Sequence, residues 1–153
     1  MGGRDKSIME NENEGWGDEM TKRKERGMLR IYFQNVNSLG VLRNGYETDN
    51  MCVELKGRKV DMMCLAETNV NWRRGDVKET MRQKVMTIWD HGWVQGSSSE
   101  EKMKSEFKPG GTVTVLGGKW VGAKKESGGD KYGRWSWISL TGGNNKEVVV
   151  ITG

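Results

Sequence analysis

The sequence predicts an α/β fold, and three observations carry that reading. Two short apolar runs, LRIYFQNV from Leu29 and VDMMCLA from Val60, each stop at turn-forming polar residues, NVNS at 35–38 and ETN at 67–69, which is the pattern of buried strands. Between them, residues 46–59 set Met51, Leu55 and Arg58 on one helical stripe, with Asp49 and Asn50 as candidate caps. Strand, helix and strand in that order predict a parallel pair joined by a crossover. Beyond Gly110-Gly111 the runs TVTVL, RWSWISL and EVVVIT follow, the last two separated by Gly142-Gly143-Asn144-Asn145. Such spacing predicts an antiparallel meander with a hairpin turn.

The remaining segments fill in around these. Residues 73–90 repeat apolar side chains three or four apart (Val77, Met81, Val85, then Ile88 or Trp89), predicting a second amphipathic helix that ends near His91-Gly92. Residues 97–108, SSSEEKMKSEFK, and residues 122–133, which include Gly128-Gly129, read as polar loops. There is no internal repeat.

A chain of 153 residues allows one domain. Its apolar fraction of 34%, joined by 22 glycines, is enough for a core. One proline, one histidine and two cysteines exclude a proline-rich linker, a His-rich metal binder and a disulfide scaffold. Cys52 and Cys64 therefore read as reduced thiols in an intracellular compartment. With no apolar run of about 18 residues and no apolar leader, a membrane span and a signal peptide are not expected.

Residues 1–28 hold six Lys/Arg against seven Asp/Glu, and residues 29–153 hold 19 against 14. The first segment, with few apolar side chains and no periodicity, reads as a disordered polar leader. Its basic run at 22–26 reads either as a nuclear address or as a solvated tail. The body carries a net +5, which favours an anionic partner, nucleic acid or a phosphorylated ligand, over none.

Asn35 and Glu67 close the two strands predicted to be parallel, and that edge is where open α/β sheets place ligand sites. A carboxylate and an amide oxygen are hard ligands of the sort magnesium takes, with water and substrate phosphate completing its shell. The competing reading is that Asn35 and Asn37 make the turn and Glu67 caps the next segment, and spacing alone favours it.

Taken together, QNVNSLG (34–40), VDMMCLAET (60–68), PGGTVTVL (109–116), GRWSWISL (133–140) and EVVVIT (147–152) resemble the endonuclease/exonuclease/phosphatase superfamily. Within it the pattern is most similar to the abasic-site-type endonuclease domain of non-LTR retrotransposons. The resemblance covers residues 29–153, and its most specific part is the pairing of N-V-N with C-L-x-E-T, Asn35 and Glu67 standing 32 positions apart.

It implies a four-layer α/β sandwich, two packed mixed sheets flanked by helices, of which this chain would be the N-terminal half. It further implies a magnesium- or manganese-dependent phosphodiesterase acting on nucleic acid, DNA in the retroelement case. Glu67 and Asn35 match the metal-side positions, and Asn35 and Asn37 those beside the scissile phosphate. Ser38 stands where the family usually has Gly, and Ala66 where it usually has Gln. The later tyrosine, Asp-x-Asn pair and terminal Asp-His pair of active members have no match, and the sequence stops at Gly153 directly after an apolar strand. The expectation is a truncated domain without a complete catalytic set, inactive alone. The alternative is a nucleic-acid-binding or vestigial mobile-element fragment.

Asp90-His91 spells the family's closing pair but precedes the Gly110-Gly111 strand, so it reads as a histidine placed near a helix C-terminus. Trp135 and Trp137, among seven tryptophans, read as packing residues on one strand face, with base contact as the second possibility. Arg134 is a nucleic-acid candidate because the family's matching loop lies on the substrate side.

Overall fold

The computed structural model describes residues 23–153. Most of the expected leader, and Lys22 of the basic run, lie outside the described residues. Seven strands and two α-helices follow one another: β1 (Ile31–Asn35), α1 (Gly45–Gly57), β2 (Met62–Ala66), α2 (Gly75–Trp89), β3 (Gly92–Ser97), β4 (Thr112–Gly117), β5 (Lys124–Gly129), β6 (Ser136–Thr141) and β7 (Glu147–Thr152). The first four strands form a mixed sheet in the order β1-β2-β4-β3, and the last three an antiparallel sheet in the order β5-β6-β7. As expected, β1 and β2 are parallel, Ile31 facing Met62 and Asn35 facing Ala66.

Both faces of β2 are covered, which is why its sequence reads as an unbroken apolar run. Met63 and Leu65 join Val113 and Val115 of β4 in a core under the helices, together with Cys52, Leu55, Val77, Met81, Val85 and Trp89. Met62, Cys64 and Leu116 meet Ile138 and Leu140 of the second sheet. The molecule is thus an α/β sandwich in which helices lie on one sheet and a second sheet lies on its other face. Near the β1–β2 chain ends the intersheet contact turns polar. Thr112 Oγ1 donates to Ser136 Oγ at 3.1 Å, and Thr114 Oγ1 shares hydrogen bonds with Ser136 Oγ at 2.9 Å and Thr152 Oγ1 at 2.7 Å.

Several local expectations change. The stripe of α2 runs through Val77, Met81, Val85 and Trp89, not Ile88. Asp49 and Asn50 lie inside α1, whose N-cap is Asn44 in a left-handed conformation. Residues 92–97 form β3 although no strand was expected there, and β5 occupies much of the loop expected at 122–133. Part of the expected leader is packed: Lys24 forms an ion pair with Asp61, whose carboxylate also accepts the Arg30 N–H at 2.7 Å. Cys52 and Cys64 are free, buried thiols. Among the described residues no helix is long and apolar enough to cross a membrane.

The second sheet's outer side and the β1 edge are bare among the described residues. Val149 and Ile151 are half or more exposed, and Phe33, whose register partner Cys64 packs between the sheets, is 58% exposed.

Candidate functional site

Parallel pairing carries β1 and β2 to the same edge, and the two chains stay hydrogen-bonded as they leave the sheet. Val36 N donates to Ala66 O at 3.0 Å, Ser38 N to Glu67 O at 2.9 Å and Leu39 N to Thr68 O at 2.8 Å. Asn35, Asn37 and Glu67 therefore lie in neighbouring, laced segments, and all three are exposed. The Asn37 N–H donates to Asn35 Oδ1 at 3.1 Å, so the turn role foreseen for Asn35 is present. A carbonyl oxygen has two lone pairs, and accepting that bond leaves one for another partner.

Backbone strain gathers at this edge. Asn37, Ser38, Glu67 and Asn69 all have positive φ, at 43°, 107°, 50° and 52°. Non-glycine residues seldom adopt such angles, and where they cluster the surrounding structure must hold them. At Thr68 and Asn69 the holding contacts come from the 108–111 segment. Thr68 N donates to Gly111 O, Asn69 N to Gly110 O and Lys108 N to Asn69 O, while Asn69 Oδ1 accepts the Gly110 N–H at 2.8 Å.

Beside these loops opens a cleft of about 790 Å³, with Ser38, Arg43, Asn69, Arg74, Lys104 and Phe107 in its lining. Its walls are fixed. Glu106 Oε1 accepts the Leu42 N–H at 2.7 Å, Asn71 Nδ2 donates to the Met103 and Ser105 carbonyls, and Arg74 donates to the Lys104 carbonyl at 2.9 Å. Lys108, 1% exposed, turns its ammonium inward to donate to the Ser99 and Glu101 carbonyls. Arg74 also pairs with Asp76, and that hydrogen bond holds the Asp76 carboxyl below its usual range. Sequence reasoning named none of the cleft cations. For Arg43 and Arg74 the one signal was proximity in the chain to the N-V-N and E-T-N turns, and Lys104 had none.

The other singled-out residues separate. Asp90 and His91 lie between α2 and the start of β3, where Gly92 faces Gly117, at the opposite end of the sheet from Ala66 and Thr112. The expectation that they are not the family's closing pair agrees with that position. Trp137 lies against Gly128, where an added Cβ would come within 2.8 Å of its Nε1. Arg134 is at the site's end of the molecule, since Asp130, its partner, accepts Ser97 Oγ through its carbonyl at 2.9 Å, and Ser97 pairs with Thr112.

The donor set fits a hydrated magnesium ion better than a soft or protein-caged metal. One exposed carboxylate and one amide oxygen leave most of an octahedron to water and phosphate. No cluster of three or more His, Cys, Asp or Glu side chains that could hold a metal occurs among the described residues.

The two-sheet α/β architecture with helices is of the endonuclease/exonuclease/phosphatase type. The chain is similar to an endonuclease/exonuclease/phosphatase family protein from Leptotrichia buccalis C-1013-b, with a TM-score of 0.51 at 12% identity, over 82% of this chain and 54% of that one. It is similar, more distantly, to the endonuclease/exonuclease/phosphatase from Beutenbergia cavernae DSM 12333, with a TM-score of 0.40 at 10% identity, over 81% of this chain and 37% of that one. The chain thus spans about half the length of the first solved protein. No family model matches the chain, and no curated protein matches it.

Proposed function

We propose that the chain is the metal-side half of a magnesium-dependent phosphodiesterase of the endonuclease kind, acting on DNA in the manner of retroelement endonucleases, inside the cell. The observation that carries this reading is the lacing of Asn35 and Glu67 at one sheet edge, next to a cleft with three cations in its lining. Glu67 and Asn35 would hold the ion, which when bound supplies charge neutralisation at a phosphoryl oxygen. Arg43, Arg74 and Lys104 would draw the phosphate chain into the cleft, while the side-chain amides of Asn37 and Asn35 would donate through Nδ2 to its oxygens.

A second reading, nucleic-acid binding without turnover, is favoured by one specific observation. The single histidine of the chain sits at the far end of the sheet, so no imidazole stands beside Glu67 to take a proton from water.

Manganese binding, followed by water-proton relaxation, tests the metal assignment. Glu67→Gln is expected to lower affinity at least 10-fold and Asp90→Asn to leave it unchanged, and equal losses would refute it. Incubating the chain with an abasic duplex and magnesium tests the half-domain reading: no cleavage is expected from the chain alone, and metal-dependent cleavage that is lost in Glu67→Gln would overturn it.

A further inference from the structure

The loop between β5 and β6, residues 130–135, is built more rigidly than a connecting turn requires. The Asp130 carboxylate accepts the Arg134 N–H at 2.6 Å, the Trp135 N–H at 3.4 Å and Arg134 Nε at 2.6 Å. Asp130 N donates to Trp135 O and Glu100 N to Lys131 O, both at 3.0 Å, and Tyr132 bridges to Ser99. Gly133, at φ 75°, lies so close to Ser98 that an added Cβ would fall 2.7 Å from its Cα. Only glycine fits that crossing.

What this frame displays is an exposed aromatic ring with two cations close to it. Tyr132 is 59% exposed. Arg134 Cζ stands 4.8 Å and Lys131 Nζ 5.0 Å from its ring centroid. Arg134, 66% exposed, spends its Nε on Asp130, while its two terminal nitrogens make no hydrogen bond to the described residues. Lys131 has no carboxylate partner among them. An exposed ring beside donors with hydrogen bonds still to give matches a nucleotide, whose base is flat and whose phosphates are anionic. Duplex DNA keeps its bases stacked inside and offers no face to such a ring.

We infer that residues 130–134 form a preorganised platform for an unpaired nucleotide, with a base stacking on Tyr132 and adjacent phosphates taken by Arg134 and Lys131. This deepens the nucleic-acid reading of the same sheet edge and rests on it. The rigid frame lowers the ordering cost of binding.

Fluorescence anisotropy with a labelled single-stranded 12-mer, and with the matching blunt duplex, tests it on the full chain in EDTA. Leaving metal out separates this outcome from that of the metal site. Tyr132→Ala is expected to weaken single-strand binding on the order of 10-fold, with Tyr132→Phe close to the parent. Arg134→Gln should reduce the slope of log affinity against log salt by about 0.7, one phosphate contact on a single strand. Four results would overturn the inference: no binding of the single strand by the parent; equal binding of duplex and single strand; an unchanged affinity in Tyr132→Ala; or a loss in Tyr132→Phe as large as in Tyr132→Ala.

Discussion

Ser38 holds φ 107° in the turn that follows β1, an angle that glycine takes freely and serine does not. The resemblance puts glycine at this position, so the departure has a stability consequence. Ser38→Gly should raise unfolding free energy by about 1 kcal/mol, the strain released outweighing the flexibility added to the unfolded chain, and urea denaturation would show it. Cys52 makes a second residue-level case. Burial, followed by the nearby Asp49 carboxylate and opposed by Lys84, pushes its thiol up to about 12 from 9.0. The sign follows from which state ionises first. Above pH 9 the unfolded chain loses the proton while the folded chain keeps it, so stability is full below pH 9 and falls as pH rises from 9 toward 12. Cys52→Ala should flatten that alkaline decline in thermal melts, and an unchanged slope would count against the assignment. The motif residues Asn35, Asn37 and Glu67 were legible because polar side chains at the ends of apolar runs mark both turns and site edges. The cleft cations were not, because Arg43, Arg74 and Lys104 come from loops with no periodicity to announce them.

Elements with an unbroken apolar stripe or run declared themselves, and those shaped by neighbours did not. The α2 stripe follows a period that packing against β3 and β4 demands, and β2 is apolar because both of its sides are covered. In β3, by contrast, glycine replaces side chains where a loop residue, Trp72, and a helix residue, Val85, press on the sheet. A Cβ at Gly96 would fall 2.4 Å from Trp72 Cγ, and one at Gly92 2.5 Å from Val85 Cγ1. Glycine weakens a strand's sequence signature, which is why GWVQGS did not read as one. β5 hides for another reason: its KKESGG sequence is charged, it lies at a sheet edge, and its pairing with β6 shifts register between Lys124 and Ser127. The Gly96 contact can be tested by overpacking. Trp72 is buried and its Nε1 donates to Thr68 Oγ1 at 2.9 Å, so the indole has little room to yield. Gly96→Ala should cost about 1–3 kcal/mol in chemical denaturation.

For the molecule as a whole, the intersheet seam of hydroxyls and the bare strands describe a sandwich keyed at one end and open along one side. Val149 and Ile151 sit on the outer face of β7, Ile151 64% exposed, and β7 is an edge strand. Such an edge invites pairing between chains. Ile151→Lys should leave unfolding free energy within about 0.5 kcal/mol of the parent while lowering light scattering on concentration, and a large loss of stability would show that the face is covered. Lys108 governs motion at the other end. An ammonium held by two carbonyls and shut off from water cannot be half released, since an intermediate position would strand a desolvated charge. Shifting the cleft wall it anchors would incur that whole cost at once, which makes the wall a jamb rather than a door, and a ligand entering there must fit the opening as it stands.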